Sequence, residues 1–181
     1  MILDRELQSR ISDIKKVFDI NEILTFNSNR NSIKKYYRIN KIPYSIFHTN
    51  TDLIYMGISK DGRFKESDLL EAAKVIEKYI KKIEASNVLE LATGRGANSF
   101  YLARKFPKIR FDGIDISDAQ LGLAFKKAKE VKNYFPVFGD YHDLGQYQDN
   151  TFDIIFEVEA LCYSTCKEKV FSEVYRLLKR G

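Results

Sequence analysis

Apolar positions recur at helical spacing over the first half of the chain and gather into short strand-length runs over the second. Leu3, Leu7, Ile11, Ile14 and Phe18 lie four, four, three and four residues apart, one stripe along an N-terminal helix. A short second helix is expected over 32–38. From 41 to 63 the pattern is irregular, with Pro43, Asn50-Thr51 and Asp61-Gly62 as turn signals. A third helix follows, with Asp68 as its cap, Glu71 three residues on, and Leu69, Ala73, Ile76, Ile80 and Ile83 as its apolar face.

At Asn87 the pattern changes. Runs at 88–91, 110–114, 134–138 and 152–158 read as four strands, and helical segments alternate with them, which marks βαβ units and a parallel sheet. The helix after the first strand starts near Ala97 and stops before Pro107. Ser117 with Gln120 reads as a capping box opening a helix with Leu121, Ala124, Phe125 and Ala128 on its face; Thr165 with Glu168 reads as another. The last helix carries Val170, Phe171, Val174, Leu177 and Leu178 and ends in Lys179-Arg180-Gly181. The fold class is α/β.

Composition narrows the picture only a little. The chain has 181 residues, enough for one substantial core, with 44% hydrophobic and 30% charged residues. No apolar run approaches the ~18–20 residues that cross a bilayer, and the N-terminus lacks the features of a signal peptide, so a cytoplasmic protein is expected, with no membrane partner. Cys162 and Cys166 have no second Cys or His pair to complete a metal shell; no metal is expected, and both read as plain thiols packed as small hydrophobes. The net charge of +5 sits mostly in residues 1–86, which hold 16 basic and 12 acidic side chains. Arg30, Lys34, Lys35, Arg38 and Lys41 form an acid-free stretch, a solvated helix face that could also draw an acidic ligand. It is too small to argue for nucleic acid.

The chemistry is concentrated in VLELATGRGAN, Val88 to Asn98, a strand running through a glycine turn into a helix. Gly94 and Gly96 let the backbone turn tightly and a ligand lie against it, and the helix start offers free N–H groups. Asp115 closes the second strand about 20 residues on, where a carboxylate can accept both hydroxyls of a ribose. Gly139-Asp140 follows the third strand, and Glu157 and Glu159 lie at the end of the fourth. A nicotinamide dinucleotide is disfavoured: Ser99 stands where the third glycine of that fingerprint belongs, and Glu90 beside the turn is a poor neighbour for a pyrophosphate. A carboxylate there suits a ligand with an ammonium and a sulfonium.

These segments resemble the class I S-adenosylmethionine-dependent methyltransferases. VLELATGRGANSFYLA is similar to their first motif, E/D-x-G-x-G-x-G, with Glu90, Gly94 and Gly96 matching and Ala92 in place of the first glycine. GIDIS matches the ribose-binding acid at Asp115, with Ile116 where a residue packs on adenine. GDYHDL matches the segment whose acid, Asp140, faces the adenine amine, with Tyr141 after it. FDIIFEVEALCYS resembles the fourth motif of the sterol-methyltransferase-like branch, and EVYRLLKRG a terminal E-x-x-R-x-L-K-P-G helix end, with Arg180 in place of proline.

The resemblance implies a Rossmann-like three-layer α/β/α domain over 67–181, mainly parallel, with strand order 3-2-1-4, behind an N-terminal helical segment, 1–66, that covers the substrate. It implies S-adenosylmethionine as cofactor, S-adenosylhomocysteine as product, and a small-molecule methyl acceptor. Glu90, Ala92, Gly94, Gly96, Asp115, Ile116, Asp140 and Tyr141 would hold the cofactor. Glu157 and Glu159, on one face by strand alternation, are the candidate catalytic acids; Tyr36, Tyr37 and Tyr44 are expected in the acceptor pocket. His48 and His142 are bases by residue type only. The family normally continues into three more strands, so the sequence reads as a fragment whose fourth strand is an open edge able to self-associate. The alternative is a cofactor-binding module without turnover unless a partner chain completes it.

Overall fold

The computed structural model describes residues 2–25, 29–48 and 51–181. Helices α1 (Ile2–Val17), α2 (Ile20–Thr25), α3 (Arg30–Ile39) and α4 (Lys41–Pro43) come first, and α4 runs into a π-helical turn over Tyr44–His48. Then follow a 3₁₀ turn (Glu66–Leu70), α5 (Glu71–Ile83), β1 (Asn87–Leu91), α6 (Ala97–Lys105), β2 (Arg110–Asp115), α7 (Asp118–Ala128), β3 (Tyr134–Phe138), β4 (Ile154–Phe156), a 3₁₀ turn (Leu161–Tyr163) and α8 (Lys167–Leu177). None of the described helices is long and apolar enough to cross a membrane.

The four strands form one parallel sheet in the order β3-β2-β1-β4, as the βαβ alternation and the family resemblance imply. Strand alternation sends β1 to both faces. Val88 joins Ile80, Leu102, Phe111, Leu121, Ala124 and Tyr134 in a core under α5, α6 and α7. Leu89 and Leu91 join Ile114, Leu144, Phe152, Val170 and Leu177 under α8. Helices on both faces of a parallel sheet give three layers, and the chain order reverses between β1 and β4, where ligand crevices open in such folds.

Helix α3 starts two residues earlier than the 32–38 its sequence pattern indicates. Asn29 Oδ1 accepts from the N–H groups of Asn31 and Ser32, and Ser32 Oγ accepts from the Asn29 N–H, a reciprocal capping box. Three caps expected from sequence take other partners. The Asp68 carboxylate accepts the Lys65 N–H at 2.9 Å and so closes the 3₁₀ turn ahead of α5. Ser117 makes no side-chain cap: its N–H donates to Asp115 at 2.7 Å, while Gln120 turns to Arg95. Cys166, not Thr165, precedes α8, and its N–H reaches Ser164 Oγ at 3.3 Å.

Strand β4 is shorter than the apolar run over 152–158. At its start the Asp153 carboxylate accepts the N–H groups of Ser86 and Asn87, at 2.9 and 2.8 Å, and the ammonium of Lys179 at 2.7 Å. Phe152 instead bridges Leu178 in parallel, and the Lys179 N–H donates to the Phe152 carbonyl. At its end the Glu157 carboxylate accepts from the N–H groups of Ala160 and Leu161 and bends the chain off the sheet. Glu157 and Glu159 therefore do not share a strand face.

Two further expectations change. On α1 the stripe is helical but unpacked, with Leu7 56%, Ile14 46% and Phe18 59% exposed; the Leu3 side chain lies outside the described residues. Cys162 and Cys166 are free thiols, but exposed rather than packed.

Candidate functional site

A cleft of about 1040 Å³, its open mouth included, lies at the carboxyl ends of β1 and β2 and under an arm that includes α3, Tyr44 and residues 52–55. Its floor is the glycine turn. Ala92, Gly94 and Gly96 all take left-handed backbone angles, φ 51°, 56° and 74°, and so fold the chain sharply from β1 into α6. Ala92, where the family has glycine, adopts the glycine conformation in spite of its Cβ. At Gly96 a Cβ would lie 2.5 Å from Tyr134 Oη and 3.0 Å from Ala124 Cβ, so the bare Cα lets α6 close on β3 and α7.

Glu90 is the next-to-last residue of β1 and is 3% exposed. Its carboxylate accepts from Thr93 Oγ1 and Ser99 Oγ, both at 2.6 Å, and from Asn98 Nδ2 at 3.1 Å. Burial raises its pKa above the ordinary carboxylate value, and these three donors act against the rise. Across the turn, Asp115 accepts the Gly94 N–H at 2.9 Å and the Ser117 N–H at 2.7 Å. Burial raises Asp115 as well, opposed by the same N–H groups. A buried carboxylate, Glu90, and a half-buried one, Asp115, thus face one cleft from its two sides.

Ala92, Gly94, Ile116 and Tyr141 line the same cleft. Asp140 does not. It lies in an adjoining recess that shares Ile33, Ile116, Tyr141 and Tyr163 with the cleft. There His142 Nδ1 sits 2.7 Å and Arg30 Nε 3.8 Å from its carboxylate. Burial would raise the Asp140 pKa, but the His142 contacts and the Arg30 charge leave it lowered. The His142 Nε2 pairs with Ser164 Oγ at 2.8 Å, so this histidine ties the turn after β3 to the turn after β4. His48's side chain lies outside the described residues.

Of the three candidate tyrosines, Tyr37 and Tyr44 line the cleft. Tyr36 stands behind them, its hydroxyl 2.7 Å from that of Tyr44. Burial raises both lining phenols, Tyr44 to about 12. Glu159 lines the mouth in a left-handed conformation, φ 55°, and accepts the Met56 N–H at 3.2 Å. Glu157 is absent from the lining, because its carboxylate is held by the turn it caps. The basic stretch does not stand free: Arg30 reaches toward Asp140, and Lys34 lies 4.7 Å over the Phe138 ring.

Among the lining residues that sequence reasoning missed are Arg95, Asn98, Gln120 and Tyr55. Asn98 was findable as a donor one turn from Glu90. Tyr55 donates to Asn98 Oδ1 or the Leu69 carbonyl, a link across 43 residues that leaves no local pattern. Arg95 lies between two glycines, where a solvent-exposed side chain is the usual reading, yet it is 2% exposed. Gln120, 1% exposed, receives Arg95 Nε at its Oε1 and leaves Nε2 without a partner among the described residues. A buried, unpaired amide donor beside a cleft is the mark of a polar ligand or water. No cluster of metal-binding side chains occurs among the described residues.

Comparison with known proteins places these features in a family. The sequence model of a family described as methyltransferase domain matches residues 88–181, just over half the chain. The chain is 36% identical over 97 residues to sterol methyltransferase-like 3 of Botryococcus braunii, covering 52% of this chain and 24% of that protein. It is 33% identical over 107 residues to the demethylmenaquinone methyltransferase of Thermotoga maritima, covering 59% and 45%. A solved Pyrococcus horikoshii protein shares 31% identity and a TM-score of 0.58, covering 81% of this chain and 57% of that one. The [4+2]-cyclase SpnF shares the fold, with a TM-score of 0.72 at 19% identity, over 84% of this chain and 57% of its own. The chain therefore spans less than half of either curated relative.

Proposed function

This chain belongs to the class I S-adenosylmethionine-dependent methyltransferases, and we propose that its cleft binds S-adenosylmethionine and presents it to a small-molecule acceptor. The observation that carries the reading is the pair of carboxylates, buried Glu90 and half-buried Asp115, lining one cleft from either side of the glycine turn. Fold likeness alone would not carry it, since the same architecture serves a cyclase.

The residues present fit the cofactor. Glu90, with three donors holding its carboxylate in place, offers negative charge where an ammonium and a sulfonium would lie. The left-handed turn over Ala92 to Gly96 lets main chain approach closely, and the unpaired Gln120 Nε2 supplies a donor. Asp115 would take the ribose hydroxyls. Ile116 and Tyr141 would flank the adenine, with Asp140 in the adjoining recess facing its amine. A pyrophosphate would meet Glu90 unfavourably, which argues against a dinucleotide.

S-adenosylmethionine supplies an electrophilic methyl group on sulfur. The protein's part is alignment and exclusion of water. Tyr37, Tyr44 and the mouth residue Glu159 are the side chains we assign to the acceptor. Glu159 is the acid within reach of an acceptor proton; Glu157 is spent on its turn.

Equilibrium dialysis with labelled S-adenosylmethionine tests the cofactor identity. Saturable binding displaced by S-adenosylhomocysteine and indifferent to NAD is expected. Displacement by NAD, or no binding by the folded chain, would overturn the reading.

A further inference from the structure

A buried side chain joins the glycine turn to the N-terminal arm. Arg95 projects from the turn into the arm, with its side chain 1% exposed. Its Nη1 donates to Ser45 Oγ and to Asp52 Oδ1, both at 3.1 Å, and its Nη2 donates to the Lys41 carbonyl at 2.9 Å. Its Nε donates to Gln120 Oε1 at 3.1 Å, and the guanidinium lies 6.0 Å from the Tyr44 ring centroid. One planar fork thus reads α4, the π-helical turn and the segment after it, as well as α7.

The far side of the latch is anchored too. Asp52 sits at φ 61°, in the left-handed region, and its second carboxylate oxygen pairs with Lys127 of α7. Burial would raise Asp52; Lys127 and Arg95 together bring it below the ordinary carboxylate range. The arm held this way contributes Tyr44, Leu53, Ile54 and Tyr55 to the cleft wall. Further contacts hold its far end: Leu53 is buried, Tyr55 donates to Asn98 Oδ1 or the Leu69 carbonyl, and the Met56 N–H donates to Glu159, while Ile46 is 66% exposed.

We propose that Arg95 is a positioning residue that latches residues 41–48 and 51–55 over the cleft, so that arm closure and occupancy of the cleft are coupled. The coupling is physical. Arg95 and Gln120 line the cleft and bond each other, so a ligand that orders this pair also orders the fork that grips the arm. Arginine is required in preference to lysine, because a point charge cannot satisfy Ser45, Asp52 and the Lys41 carbonyl together. Only the ligand-dependent half of the proposal rests on the cofactor reading; the latch itself is a property of the free chain.

Amide hydrogen exchange over 41–48 and 51–55, read against the strands, tests it with Arg95→Met, Arg95→Lys and Asp52→Asn. Loss of hydrogen bonds to charged groups is expected to speed exchange of the arm by about tenfold to a hundredfold in Arg95→Met, with the amides of β1 and β2 unchanged. Asp52→Asn, which leaves the glycine turn intact, should loosen the same segment to a smaller degree, and Arg95→Lys should not restore protection. Adding S-adenosylhomocysteine should slow arm exchange in the wild type and not in Arg95→Met. Unchanged arm protection in Arg95→Met overturns the latch whatever the ligand is. So does a uniform loss over arm and strands, which would make Arg95 a support of the whole fold. A latch that responds to the variants while no S-adenosylhomocysteine binds would leave the latch standing and sink the cofactor reading instead.

Discussion

Gly96→Ala separates the two reasons for a glycine at this turn. The left-handed backbone, φ 74°, costs an L-residue roughly 1–2 kcal/mol. The added Cβ would stand 2.5 Å from Tyr134 Oη and 3.0 Å from Ala124 Cβ, an overpacking cost of about 1–3 kcal/mol. The sum predicts a loss of about 2–5 kcal/mol. Tyr134→Phe removes the nearest obstructing atom while losing a hydroxyl contact with Thr93 Oγ1 at 3.0 Å, about 1 kcal/mol by itself. The double variant should therefore be more stable than the two single losses add up to, by about 1 kcal/mol, while the backbone strain remains. Urea unfolding of the four proteins followed by circular dichroism measures every term. A Gly96→Ala loss under about 0.5 kcal/mol would refute the strain argument, and strict additivity would refute the clash.

Three other outcomes follow from the site and its supports. Asp153 is held near pKa 2, against an ordinary 3.8, by two backbone N–H groups, Ser86 Oγ and Lys179 that together outweigh burial, so its folded pKa is depressed. The stability it contributes, about 2 kcal/mol, is present above pH 3.8 and lost as pH falls through about 2; Asp153→Ala should cost more at pH 7 than at pH 2 by about that amount, by urea midpoints. Glu90 runs the other way: burial raises it, so its contribution is present below about pH 4.5 and lost as pH rises through the raised folded value, and Glu90→Gln should flatten that limb of the stability profile relative to wild type. At Ala92, relief of the left-handed strain and the added freedom of glycine in the unfolded chain nearly cancel, so Ala92→Gly should change stability by less than about 1 kcal/mol, whereas the β-branched Ala92→Val should lose more than about 1 kcal/mol in thermal or urea melts.

What the sequence discloses is what local pattern controls. The parallel sheet, its helices and the glycine turn follow from alternation and from Gly94 and Gly96, and the two carboxylates facing the cleft are both visible as strand-end acids. What it conceals is set by partners far along the chain. Val88 to Leu91 looks like any buried strand, but the run over 152–158 loses both ends to Asp153 and Glu157, whose carboxylates capture backbone N–H groups. Gln120 matches a capping box in sequence and is claimed by Arg95 in space, across 25 residues. Arg95 itself has no sequence signature as a buried residue. It is buried because Asp52, Ser45 and the Lys41 carbonyl come to it, and no periodicity encodes that meeting. Tyr36 and Tyr37 are adjacent, so helical geometry sends one into the cleft and the other behind it; sequence alone does not choose between them.

The central claim is that the cleft flanked by Glu90 and Asp115 is the cofactor site. Calorimetric titration of the chain with S-adenosylhomocysteine, beside an Asp115→Ala variant shown by circular dichroism to be folded, tests it most directly. One-to-one binding in the micromolar range that the variant loses is the predicted result. Equal affinity in the folded variant, or no heat from a folded wild type, would contradict it.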